Sequence, residues 1–163
     1  MERALRHETL SFELTACFTG HRILAQEKQA FLECRLDEEL DRLINAGVKR
    51  FLCGGALGFD TLAAQAVLRQ KRTKDVFLEM VLPCGDQSAR WNKRQQAVYR
   101  DILARADQVT TLFDRDVTGC MHFRDAYMVD HSDILIAYYC GRPGGTQYTY
   151  QYAERRGVKI IKI

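Results

Sequence analysis

Three short segments carry side chains suited to holding an anion. Thr19-Gly20-His21-Arg22 joins a hydroxyl, a flexible backbone and a guanidinium, which can grip a phosphate bidentately. Gly54-Gly55-Ala56-Leu57-Gly58-Phe59-Asp60 resembles a phosphate-cradling loop, yet it matches neither GxGxxG nor GxxxxGK with a following Ser or Thr. Asp60 is placed there either to cap the next helix or to hold a ribose hydroxyl. Pro143-Gly144-Gly145-Thr146 opens a helix, where free N–H groups and the Thr hydroxyl favour an anion.

Other candidates stand beside these loops. Trp91, the only tryptophan, lies in PCGDQSARW just past a strand end and could stack on a base or pack a helix. Arg124 and Tyr127 could face the same crevice, whereas Asp133 suits a turn. His122 and His131 are nine residues apart, which is no metal-ligand spacing. The six cysteines form no Cys-x-x-Cys pair, so neither a metal site nor a disulfide framework is expected.

The elements that must position these residues follow from apolar periodicity. Residues 12–18, 50–53, 76–82, 108–113 and 134–139 and the terminal VKIIKI read as strands. Helices fit 27–46, about 60–71, about 89–106, about 120–131 and about 146–156, the first from Leu32, Leu36, Leu40 and Leu43 at spacings of four, four and three. Short apolar strands alternating with helices predict an α/β fold: a single doubly wound, Rossmann-like domain with a mainly parallel six-stranded sheet and helices on both faces. The domain covers 1–163, with 1–11 as an N-terminal extension.

Nine of the eleven glycines, and both prolines, fall after a strand and before the next helix. In a parallel sheet those loops share the edge at the strand carboxyl ends, where such folds bind ligands. Glycine permits close backbone approach there.

Composition bounds the partners. With 47% hydrophobic and 28% charged residues, the 163-residue chain is neither disordered nor collagenous. A net charge of +3 is too weak to point to nucleic acid or membrane. The apolar runs fall far short of a membrane span and MERALRHETL shows no export signal, so a cytoplasmic location is expected.

Taken together, TGHR, GGALGFD, LPCGDQSARW, RDAYMVDHSD and GGTQYTYQYA resemble the YpsA family, from about residue 12 to 163. That family belongs to the SLOG superfamily of Rossmann-like proteins, alongside the LOG phosphoribohydrolases and the DprA-like proteins. The resemblance implies a pocket for a nucleotide or nucleotide-derived ligand, of the ADP-ribose, NAD or nucleoside phosphate type. Carried over by position, its residues are Gly20, Arg22, Gly54, Gly55, Gly58, Asp60, Gly144, Gly145 and Thr146. Thr19, Trp91 and Arg124 join them as ligand-binding candidates from their own loops.

One departure matters. The LOG enzymes use a PGGxGTxxE pattern whose Glu is catalytic, and here Thr149 stands at that position. A threonine does not ionise near neutrality and cannot serve as a base, while Glu154 is about two turns further along the helix. The expected function is therefore non-catalytic sensing of a nucleotide-derived ligand, with no certain cofactor and homo-oligomerisation open. Phosphoribohydrolase-type processing is the alternative, using Asp60, Asp130 or Asp133 in place of the missing Glu. A further alternative is single-stranded DNA binding or protein interaction, to which Lys71, Arg72 and Lys74 add a small basic cluster. Nucleic acid is the less expected partner.

Overall fold

The computed structural model describes residues 13–163, and the N-terminal extension expected at 1–11 lies outside them. The elements are β1 (Leu14–Gly20), α1 (Gln26–Asn45), β2 (Val48–Cys53), α2 (Phe59–Gln70), β3 (Phe77–Cys84), α3 (Lys93–Arg105), β4 (Gln108–Phe113), α4 (Cys120–Asp130), β5 (Ile134–Tyr138), α5 (Gly145–Arg156) and β6 (Lys159–Lys162). All strand pairings are parallel, in the order β4-β3-β2-β1-β5-β6. The expected single-domain α/β, Rossmann-like fold is what the chain adopts.

Strand alternation divides the core into two layers. Ala16, Phe18, Phe51, Leu78, Met80 and Ile136 point to one face and pack with α1, α2 and α3. Cys17, Leu52, Val81, Leu135 and Ala137 point to the other and meet Met128 and Val129 of α4 and Ala153 of α5. A strand buried on both sides must be apolar at every position, which is why ILIAY reads as one continuous run. On α1 the predicted stripe of Leu32, Leu36, Leu40 and Leu43 is buried, each contributing about 1.5–3 kcal/mol of transfer free energy.

Strand limits shift by one or two residues from expectation, β1 to Leu14–Gly20 and β3 to Phe77–Cys84, and one helix start shifts further. Helix α3 starts at Lys93, not near residue 89, because Asn92 forms a capping box with Gln95. The Asn92 side chain accepts from the Gln95 N–H at 2.8 Å, and the Asn92 N–H donates back to Gln95 Oε1 at 3.1 Å. Those two bonds satisfy donors that the helix cannot, so the chain before them stays in turns.

The topology also locates the crevice. From β1 the chain steps through β2, β3 and β4 in one direction, then returns to lay β5 on the other side of β1. Strand order therefore reverses between β1 and β5, and the loops leaving their carboxyl ends diverge to opposite faces. Thr19–Arg22 span the end of β1 and its loop, and Arg142–Thr146 span the loop after β5 and the start of α5.

Candidate functional site

A cavity of about 400 Å³ opens at this switch point, within the usual range for a small-molecule site. The β1 loop supplies Thr19, Gly20, His21 and Arg22 to its wall, and the β5 loop supplies Arg142, Gly144, Gly145 and Thr146. Ala56 enters from the segment between β2 and α2, Asp60 from the first turn of α2, and His122, Arg124 and Asp125 from α4. Eight of the predicted residues thus share one cavity: Thr19, Gly20, Arg22, Asp60, Arg124, Gly144, Gly145 and Thr146.

The charged groups divide into an exposed set and a buried set. Arg22 and Arg142 are exposed at the mouth, beside the N-terminus of α5. Arg124 is buried, and its donors are committed: Nη1 to the Gly54 carbonyl at 2.7 Å and to Gln87 Oε1 at 3.3 Å, Nε to Asp125 Oδ1 at 2.7 Å. Asp60 is buried beside it, its Oδ2 accepting the Ala56 N–H at 3.2 Å. Burial pushes the Asp60 carboxyl up to about 6, with the Arg124 cation opposing part of that rise. Capping falls to Gly58, with no side-chain bond, so Asp60 does not cap α2.

Gly54, Gly55 and Gly58 lie off the cavity wall, and their use is different from a phosphate cradle. A Cβ on Gly54 would stand 2.6 Å from Arg124 Nη1, so this glycine makes room for the buried guanidinium. Gly58 has φ +79°, and a Cβ there would stand 2.6 Å from the His21 carbonyl oxygen. Backbone packs on backbone at that point, and the Phe59 N–H donates to the same oxygen at 3.1 Å. The glycines of this loop thereby position Arg124 and the anion-suited loop after β1, and Ala56 is the part of the loop that reaches the cavity.

Trp91 is also elsewhere. Its indole meets the Tyr99 ring edge-on at 5.0 Å and packs against the core layer under α1–α3. Tyr127 stacks on His131 at 4.1 Å. Asp133 accepts the Thr15 N–H at 2.9 Å, at the amino end of β1, and Asp130 bonds the Tyr152 hydroxyl at 2.9 Å and Arg156 at 3.1 Å. Of the three carboxylates considered for hydrolysis, Asp60 alone lines the cavity. Thr149 is buried and its hydroxyl donates to the Gly145 carbonyl at 2.9 Å.

Sequence reading did not single out His21, His122, Asp125 or Arg142. His21 and Arg142 sit inside the very loops it chose, and that adjacency was the available signal. Nor did it join Cys84, Asp116 and Cys120, whose ligand-type atoms lie within 4.8 Å of one another at the β3 and α4 ends. Asp116 and Cys120 are four residues apart, but Cys84 comes from a different strand end, too far along the chain for spacing to join it to them. Burial and Asp86 push the Cys84 thiol up to about 12.

Comparison with known proteins agrees with this architecture. The family model YpsA, described as the YspA SLOG family, matches residues 17–160. The UPF0398 protein BH1768 of Halalkalibacterium halodurans is 31% identical over 141 residues, covering 84% of this chain and 72% of its own length. A UPF0398 protein of Macrococcus caseolyticus is 29% identical over 116 residues, covering 70% of this chain and 63% of its own. Among solved structures, DNA processing protein A of Helicobacter pylori, described with a single-stranded DNA binding mode, superposes with TM-score 0.66 at 18% identity. It matches over 92% of this chain and 65% of that one. DNA processing protein A of Streptococcus pneumoniae gives TM-score 0.67 at 14% identity, over 91% of this chain and 50% of that one. At such identities the likeness is one of fold. Among the described residues no helix is long and apolar enough to cross a membrane. The family match spans both loops of the crevice, and the chain belongs to the YpsA family of SLOG proteins.

Proposed function

We propose that the chain binds a phosphate-bearing, nucleotide-derived small molecule between β1 and β5, as a ligand-responsive binding protein of the cytoplasm. One observation carries the reading: Arg22, Arg142 and the N-terminus of α5 converge on one cavity of about 400 Å³. Two exposed arginines lining one cavity with a helix N-terminus are complementary to a phosphate, and the remaining volume suits a nucleoside-sized group. Thr146 adds a hydroxyl donor, and Asp60 is an acceptor deeper in the same cavity. Thr149, bonded back to Gly145, supplies no base, which favours binding over hydrolysis.

A second reading, single-stranded DNA binding, is favoured by the fold likeness to the Helicobacter pylori protein. The basic cluster that would serve it is partly engaged: Lys71 pairs with Asp107 and Lys74 with Asp41.

A thermal-shift series with adenosine monophosphate, ADP-ribose, NAD and an oligothymidylate separates these readings, with each hit recovered by chromatography. A ligand at a hundred times its Kd adds about 2.7 kcal/mol of stability. A shift with the small ligand recovered intact supports the proposal, and a degraded ligand points to the hydrolase. Response to the oligonucleotide alone, weakening steeply with salt, replaces it with DNA binding.

A further inference from the structure

We propose that Cys140 is a modification site: an activated thiol, set between His21 and Arg142, that peroxide oxidises to the sulfenic acid. Its sulfur lies 3.2 Å from His21 Nε2 and accepts from Arg142 Nε at 3.2 Å. A guanidinium donating to the sulfur favours the thiolate, the form of a cysteine that acts as a nucleophile.

The imidazole fixes the Cys140 backbone beside it. The Cys140 backbone N–H donates to His21 Nε2 at 3.0 Å, so that nitrogen carries a lone pair and no proton. Burial and the nearby Arg142 cation hold the imidazole below its ordinary value, keeping it neutral and able to accept. The ring is packed edge-on against Tyr138 at 5.7 Å and tilted against Tyr139 at 6.0 Å. Its main-chain oxygen is anchored by the Phe59 N–H.

The chain contains its own control. Cys34 is the other exposed cysteine, on α1, and its sulfur donates to Glu38 at 3.6 Å. The Glu38 carboxylate raises the Cys34 thiol, whereas the hydrogen bond from Arg142 lowers that of Cys140. Two thiols of similar access thus have opposite electrostatics. Cys17, Cys53, Cys84 and Cys120 are buried.

The step balances without further reagents. The thiol gives its proton to solvent, and the thiolate sulfur, held by the Arg142 Nε–H, attacks one oxygen of hydrogen peroxide. The S–O bond forms as the O–O bond breaks, and the departing hydroxide takes a proton from solvent and leaves as water. Sulfur loses two electrons and peroxide gains them.

His21 and Arg142 also line the switch-point cavity, so a ligand phosphate and the Cys140 sulfur compete for one guanidinium. This coupling rests on the binding reading above; the reactivity of the thiol does not.

The test treats the whole chain with limiting hydrogen peroxide in the presence of dimedone, then maps adducts by mass spectrometry. Cys140 is expected to carry at least about tenfold more adduct than Cys34. Arg142→Gln and His21→Gln should each reduce labelling at Cys140 several-fold and leave Cys34 unchanged. Equal or weaker labelling of Cys140 in the unaltered chain overturns the proposal, and this comparison needs no variant. Repeating it with millimolar adenosine monophosphate separates the two readings. Selective labelling that the nucleotide does not slow retains the thiol site and removes the phosphate pocket. Nucleotide binding without selective labelling does the reverse.

Discussion

The Arg124 guanidinium occupies the space that a side chain at position 54 would fill, donating to the Gly54 carbonyl at 2.7 Å. This contact ties α4 to the end of β2 and closes the floor of the cavity. Gly54→Ala should displace the guanidinium and leave the Asp125 carboxylate without its partner. Breaking a buried pair in this way costs about 3–5 kcal/mol, to be read as a lowered urea midpoint at unchanged slope. Arg124→Ala should fall in the same range, and a loss under about 1 kcal/mol for either would refute the role given to this contact.

Gly58 presents a backbone test. Its φ of +79° and ψ of −119° suit glycine alone, and the His21 carbonyl leaves no room for a Cβ. Gly58→Ala should destabilise by about 1–3 kcal/mol or more and should also shift the β1 loop. The readout is chemical denaturation together with amide exchange at residues 19–23. Protection there equal to that of the unaltered chain would count against loop-on-loop positioning.

Asp60 gives a pH dependence with a definite sign. Burial raises its folded-state value to about 6 from the ordinary 3.8, so the folded chain binds a proton more readily than the unfolded one across that window. Stability from this group is then greatest below about pH 4, falls as pH rises, and is fully lost above about pH 6. Asp60→Asn cannot ionise, so the stability of the unaltered chain relative to this variant should fall by about 2–3 kcal/mol from pH 4 to pH 7. Parallel stability curves across that range would show the carboxylate to be free of this penalty.

Arg22 and Arg142 are exposed and should report binding separately from folding. Arg22→Ala and Arg142→Ala should each change unfolding free energy by no more than about 0.5 kcal/mol. Each should weaken adenosine monophosphate by about tenfold or more, the value of one charged hydrogen bond. Calorimetric titration at two salt concentrations measures this. Unchanged affinity in both variants would move the phosphate away from the switch point.

The linear pattern was enough to specify the elements, their order and the sheet edge at which the cavity opens. Strand and helix periodicity come from which residues must leave water, and parallel connection follows from helices between strands. Thr19, Gly20, Arg22 and Gly144–Thr146 were legible as neighbours in one cavity because they lie at the carboxyl ends of the two strands flanking the reversal. What the pattern could not separate was a glycine that admits a ligand from one that admits another part of the chain. Gly54 and Gly58 are of the second kind, and only packing against Arg124 and His21 reveals it. Trp91, likewise, was equally suited to a base or to Tyr99 until α3 fixed its place. The pairing of His21 with Cys140, 119 residues apart, arises because β1 and β5 lie side by side. Side-chain chemistry is written locally, but which side chains meet is decided by the order of strands in the sheet.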